Sequence, residues 1–112
     1  MSGLNAYLVA YTARPSDSRR MQALGLRFKA ALEEAVGKSP SPLLLGEDMS
    51  FAMMAISSPH DLQAVQSAIM KRLSVSDFDF AGRSGLADRI VIAEVSGFVA
   101  SDAAVRAAFG LR

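Results

Sequence analysis

The pattern of apolar and polar positions in the first third of the chain predicts a strand followed by a long helix. Residues 6–12 are rich in β-branched and aromatic side chains that alternate between two faces, which is typical of a strand. One face carries Tyr7, Val9 and Tyr11. After Pro15, apolar residues recur at helical spacing from about Asp17 to Val36, and the following Gly37 suits the left-handed conformation that ends many helices.

The middle of the chain predicts a hairpin and a second helix. Two prolines within residues 38–42 exclude a helix there, whereas Leu43–Leu45 and Met49–Ser57 predict two strands joined by a turn at residues 46–48. The segment Ser58-Pro59-His60-Asp61 matches a capping box, with Ser58 as the N-cap and Asp61 at the third helical position. We expect a helix to follow, with its buried side formed by Leu62, Val65, Ile69 and Leu73.

The last third is less regular. Residues 74–89 predict a long ordered excursion, and Ile90–Val95 predicts a strand whose Ile-Val-Ile run indicates that both faces are covered or that one face is an interface. Gly97 is expected to end it. Ser101-Asp102 is a candidate cap for a short C-terminal helix that contains Val105 and Phe109.

This order of elements predicts an α+β fold of the ferredoxin-like βαββαβ kind, a single domain over residues 1–112 with the C-terminal helix added. Both long helices then cover one face of an antiparallel sheet and leave the other face open. We expect Tyr7, Val9 and Tyr11, with Met53 from the methionine-rich third strand, to form a homodimer interface on the open face.

Composition narrows the function classes only a little. Twelve basic and eleven acidic side chains give a net charge of +1, so no overall field favours nucleic acid or anionic lipid. The absence of cysteine removes thiolate nucleophiles and disulfides and fits a reducing compartment, and no segment is apolar enough to span a membrane. We therefore expect a cytoplasmic protein with no membrane partner.

Basic side chains follow the first helix and offer one candidate binding surface. Arg20, Arg27 and Lys38 are expected along one edge of this helix, with Arg19 close by, where they could contact the phosphates of a nucleic acid. Glu34 interrupts the edge. The alternative interpretation is a helix flank that is simply solvated by its charges.

Acidic side chains offer a second kind of chemistry. Asp77, Asp79 and Asp88 could supply oxygen ligands for magnesium, as a metal-dependent phosphodiesterase needs. The alternative is that these acids face solvent between buried phenylalanines. His60 is the only histidine, and its place at a helix start indicates a surface residue. We assign no catalytic residue, cofactor or metal ligand.

Two segments resemble a known family. Tyr7-Leu8-Val9-Ala10-Tyr11 and residues 88–97 are similar to the first and last strands of the small ferredoxin-like CRISPR-associated spacer-integration subunit and its SinR-like relatives. The resemblance implies this fold and a two-fold dimer. In the metal-dependent members an aspartate follows the first strand, whereas Thr12 stands at that position here, which argues against nuclease chemistry.

The function that these observations predict is a non-catalytic homodimeric binding module that contacts nucleic acid or a protein partner. Two alternatives stay open: a metal-dependent phosphodiesterase or nuclease that uses the three aspartates, and a small inhibitor or adaptor protein of the kind that mobile elements encode. We expect a binding protein and not an enzyme.

Overall fold

The computed structural model describes residues 4–83 and 85–96, which form two helices and one four-stranded antiparallel sheet. The elements in chain order are β1 (Asn5–Thr12), α1 (Ser18–Val36), β2 (Ser41–Leu45), β3 (Phe51–Ser58), α2 (Leu62–Leu73) and β4 (Arg89–Val95). The strand order is β2-β3-β1-β4. The predicted α+β class is confirmed. Gly97 and the predicted C-terminal helix with Val105 and Phe109 lie outside the described residues.

Local signals fix both ends of α1 as the sequence predicts. The Asp17 carboxylate accepts a hydrogen bond from the backbone N–H of Arg20 at 2.8 Å, which caps the first turn. At the other end Gly37 has φ 79°, and its N–H donates to the carbonyl oxygen of Glu33 at 2.7 Å. This left-handed geometry is the reason a glycine stands there.

The start of α2 differs from the prediction. The N-cap is Asp61, whose carboxylate accepts from the N–H of Ala64 at 2.8 Å, so the capping box at Ser58 is wrong. Ser58 belongs to β3 and pairs with Asn5, and its hydroxyl oxygen accepts from the N–H of His60 at 3.1 Å. The strand therefore runs one residue further than expected, and the helix begins later.

The hairpin of β2 and β3 is confirmed with shifted boundaries. β2 begins at Ser41 and includes Pro42, which an edge strand tolerates, and its register shifts between Pro42 and Leu44. Met49 was expected to open the third strand, but it lies in the turn with φ 60°. That is an uncommon conformation for a side chain of this size.

The core lies between the two helices and one face of the sheet. Tyr7, Val9 and Tyr11 are at most 1% exposed and pack in this core with Leu24 and Phe28 of α1. Their predicted place on an open dimer face is wrong. The two tyrosine rings fill the space beneath the helices, which Ala6, Ala10 and Thr12 on the other face of β1 are too small to fill.

Both core tyrosines also find acceptors for their hydroxyl groups. The Tyr7 hydroxyl donates to the carbonyl oxygen of His60, and the Tyr11 hydroxyl donates to that of Met49 at 2.7 Å. The Tyr11 ring lies 4.6 Å from the ring of Phe28, centroid to centroid. Neither buried tyrosine hydroxyl therefore lacks a hydrogen-bond partner. This is a further reason why the helices cover the face of the sheet that carries the tyrosines.

The segment between α2 and β4 adds phenylalanine side chains to the core between the helices and the sheet. Phe78 is buried, contacts Tyr11 edge to face with ring centroids 5.3 Å apart, and stacks on Phe80. Among the described residues, no helix is long and apolar enough to cross a membrane.

Candidate functional site

The sheet face opposite the helices is the most distinctive surface of the described chain. Strand alternation places on it the residues that do not enter the core. Three of its large apolar side chains are strongly exposed: Leu44 at 55%, Phe51 at 41% and Val91 at 58%. We call this surface the open face. Its half-buried apolar members are Ala6, Leu8, Ala10, Met53, Ala93 and Val95, whereas Ala55 is on the same side of β3 but buried.

The pairing register makes the open face continuous across all four strands. Ala10 of β1 lies between Met53 of β3 and Val91 of β4, and Met53 in turn faces Leu44 of β2. These four residues form one row from edge to edge. No charged side chain interrupts the row, and Arg89 lies at one end of the face beside Thr12.

The structure brings only part of the predicted dimer interface to this face. Met53 lies on the open face and is half-buried, whereas the three predicted residues of β1 lie in the core. The sequence did not indicate Leu8 and Leu44 as members of this face. Val91 belongs to the Ile90-Val91-Ile92 run, which had indicated that β4 is covered on both faces or forms an interface.

The predicted basic edge of α1 is not a single surface. The guanidinium of Arg20 turns inward, where it pairs with both carboxylate oxygens of Asp88 and donates to the hydroxyl oxygen of Ser16 at 2.8 Å and the carbonyl oxygen of Asp77 at 3.0 Å. Its side chain is 16% exposed. Arg20 is therefore committed to the protein's own groups.

The other three basic residues are spread along the helix. Arg27 donates to the carbonyl oxygen of Arg72 at 3.2 Å and lies 3.6 Å from the carboxylate of Glu34, which ties α1 to α2. Arg19 and Lys38 are exposed, one in the first turn and one beyond the C-cap. About 28 Å of helix separates them, so they do not form one patch.

The three acids of the predicted metal group have different surroundings. Asp79 forms an ion pair with Arg14 at 2.6 Å, Asp88 is buried against Arg20, and Asp77 is exposed. In the part of the chain that the structure describes, no three histidine, cysteine or acidic residues are placed to hold a metal ion together. The geometry gives the phosphodiesterase interpretation no support.

Asp88 is instead the centre of a hydrogen-bonded lock. Its carboxylate accepts from the backbone N–H groups of Arg14 at 2.8 Å and Asp79 at 2.7 Å, in addition to Arg20. Burial acts to raise the pKa of the Asp88 carboxyl, but the hydrogen bonds from Arg20 and these N–H groups outweigh it and hold the pKa below its ordinary value. The group is an ionised structural element that joins the β1–α1 connection, α1 and the 74–88 segment.

Comparison of the chain with protein-family models, with curated proteins and with solved structures finds no match.

Proposed function

We propose that the chain is a non-catalytic binding module that assembles as a homodimer through its open face. The observation that carries this proposal is the uncharged apolar row that crosses the whole sheet, with Leu44 and Val91 more than half exposed at its two edges. Contiguous exposed apolar surface of this kind is typical of interaction sites.

A second copy of the chain suits this surface because of its charge pattern. A two-fold axis brings a patch against itself, so any charge near the axis meets a like charge. The central residues of the open face, such as Ala10 and Met53, carry none. An apolar sheet face is self-complementary in this sense, and two such faces stack about 10 Å apart as the sheets of a sandwich do.

The size of the face sets the expected strength of the dimer. Four strands of up to eight residues cover roughly 19 Å by 26 Å, or ~500 Å². That is less than the ~800 Å² per partner of a standard stable interface, so we expect a weak dimer that dissociates on dilution. β4 is an edge strand that pairs with β1 among the described strands, and its outer edge offers additional contact area.

We also propose that the fold is ferredoxin-like. The order β2-β3-β1-β4 with both helices on one face supports a ferredoxin-like domain. The resemblance to the CRISPR-associated and SinR-like family rests on residues that form β1 and β4.

The lack of cysteine supports a cytoplasmic setting. Nucleic acid is the less favoured partner, because Arg20 and Arg27 already bind the protein's own groups.

Sedimentation velocity from low to high micromolar concentration tests the proposal, with a matched pair of valine variants. Val91→Asp puts a charge in the row of the open face, and Val75→Asp puts the same charge at an 81% exposed position in the segment after α2. We expect the wild type and Val75→Asp to dimerise and Val91→Asp to stay monomeric. A wild type that is monomeric throughout the range contradicts the proposal, as does a Val91→Asp variant that still dimerises.

A further inference from the structure

A groove runs beside α1 on the helix side of the sheet, away from the open face. It lies between one flank of the helix and strand β2 and has a volume of about 420 Å³. Ligand sites usually occupy about 300–1,000 Å³ and are mainly apolar with a few placed polar groups. The helix contributes Gln22, Gly25, Leu26 and Lys29, whose spacing of three and four residues puts them on one flank.

The opposite wall and the floor of the groove are apolar. Pro40, Pro42 and Leu45 form the wall, and Met49 and Met54 contribute thioether side chains that adapt to the shape of a ligand. Leu26 on the helix and Leu45 on the strand are 73% and 50% exposed. Two apolar side chains therefore stand in solvent on either side of the groove.

The backbone around Met49 holds the groove in shape. Met49 has φ 60°, and the Tyr11 hydroxyl fixes its carbonyl group at 2.7 Å. A Cβ atom at Gly25 would lie 2.4 Å from the Cε atom of Met49, so the glycine lets this side chain lie directly on the helix. A strained backbone conformation that the surroundings enforce is often found at a binding site.

Lys29 is the one ionisable side chain among the residues that line the groove. Its side chain is 56% exposed, and the ammonium group lies 3.9 Å from the carboxylate of Glu33, a contact too long and too solvated to bind the charge strongly. A ligand that fits has an apolar body and one anionic end. From Gln22 to Lys29 the groove follows about 10 Å of helix, which suits a medium-length acyl chain and is too short for a docked helix of several turns.

We propose that this groove binds a free medium-chain monocarboxylic acid, with the acyl chain against Met49 and Met54 and the carboxylate beside the Lys29 ammonium group. The site does not depend on the dimer, because it lies on the other side of the sheet.

NMR of the protein with ¹³C-labelled methionine methyl groups tests this inference, with decanoate as the probe below its micellar concentration. The methyl signals of Met49 and Met54 report on the groove, and that of Met53 reports on the open face. We expect saturable shifts of the first two and a constant Met53 signal. Absence of saturable shifts at Met49 and Met54, or equal shifts of all three signals, contradicts the proposal.

Variants test the two ends of the ligand separately. Lys29→Gln is expected to weaken decanoate binding about threefold, the size of a solvated ion pair, and to leave binding of the neutral decanol unchanged. The matched control Lys71→Gln changes an exposed lysine of α2 outside the groove. Leu26→Asp, at a 73% exposed position, is expected to weaken both probes. Decanoate affinity that survives both Lys29→Gln and Leu26→Asp overturns the assignment.

Discussion

The guanidinium of Arg20 binds the fully buried side chain of Asp88 through both carboxylate oxygens. The two residues are 68 positions apart in sequence, so the pair joins the start of α1 to the residue just before β4. The bidentate geometry and the two backbone N–H groups that also reach Asp88 satisfy the buried charge. This pair holds the irregular 74–88 segment against the sandwich.

Removal of one member of the pair should therefore lower the free energy of unfolding. Asp88→Ala leaves the Arg20 charge without its partner, and we expect a loss of about 3 kcal/mol in the free energy of unfolding. Urea denaturation followed by circular dichroism measures it. A loss below about 1 kcal/mol would show that the lock contributes little.

The lowered pKa of Asp88 also predicts a dependence of stability on pH. Because the folded-state pKa lies below the ordinary value of 3.8, the folded protein favours the ionised carboxylate. Its contribution is present above about pH 4 and is lost as the pH falls through the folded-state pKa. The difference in unfolding free energy between wild type and Asp88→Asn should shrink on acidification through this range. A difference that stays constant down to pH 2 argues against the assignment.

Charge reversal should separate the two neighbouring arginines of α1. Arg20→Glu places a second carboxylate against Asp88, so we expect it to destabilise the fold by more than about 3 kcal/mol. Arg19→Glu changes an exposed side chain and should alter stability by less than about 0.5 kcal/mol. Thermal unfolding of the two variants measures the contrast. Equal stability of the two variants would contradict the structural role of Arg20.

The buried phenol of Tyr11 predicts a loss of stability at alkaline pH. Burial, followed by the negative charges of Asp48 and Asp88, raises its pKa from 10.0 to about 12. The unfolded chain therefore releases this proton first, and stability falls as the pH rises above about 10. Tyr11→Phe should flatten the decline between pH 9 and 11 by roughly 1 kcal/mol, although the lost hydrogen bond to Met49 makes it about 1 kcal/mol less stable at neutral pH. An unchanged alkaline decline in urea titrations would refute the shift.

The same substitution should destabilise the fold on one face of the sheet and leave its stability almost unchanged on the other. Val9 is fully buried and Val91 is 58% exposed. Val9→Asp places an unpaired charge in the core and is expected to lower the free energy of unfolding by more than about 4 kcal/mol. Val91→Asp should leave the unfolding midpoint nearly unchanged at a protein concentration at which the wild type is also monomeric. Circular dichroism and thermal melts distinguish them. A well-folded Val9→Asp variant would show that the faces are assigned the wrong way round.

The sequence predicted the elements whose signals are local. The apolar spacing and the glycine at position 37 define α1, whereas Ser16, Asp17 and Ser18 were all candidate caps and the structure selects Asp17. Strand β4 was equally clear from its β-branched run. The start of α2 was misplaced because Ser58, Pro59 and Asp61 all carry capping signals, and only the tertiary pairing of Ser58 with Asn5 decides among them.

The face of β1 could not be predicted from periodicity alone. Both sides of the strand are apolar, so alternation says which residues share a side but not which side the helices cover. The size of Tyr7 and Tyr11 and their need for hydrogen-bond acceptors favour the core, a criterion that comes from packing. The basic edge of α1 was also predicted wrongly. Spacing places Arg20 on the helix surface, but its partner Asp88 is 68 positions away in sequence and turns the side chain inward.

Intermolecular NOEs locate the contact between the two copies of the dimer. Protein with ¹³C-labelled methionine methyl groups is mixed with unlabelled protein, and a filtered experiment detects contacts between copies. We predict NOEs from the Met53 methyl group to valine and leucine methyl groups of the second copy, and none from Met54, which is buried in the core of its own chain. Absence of intermolecular NOEs at Met53 when the protein is dimeric would show that the open face is not the dimer contact.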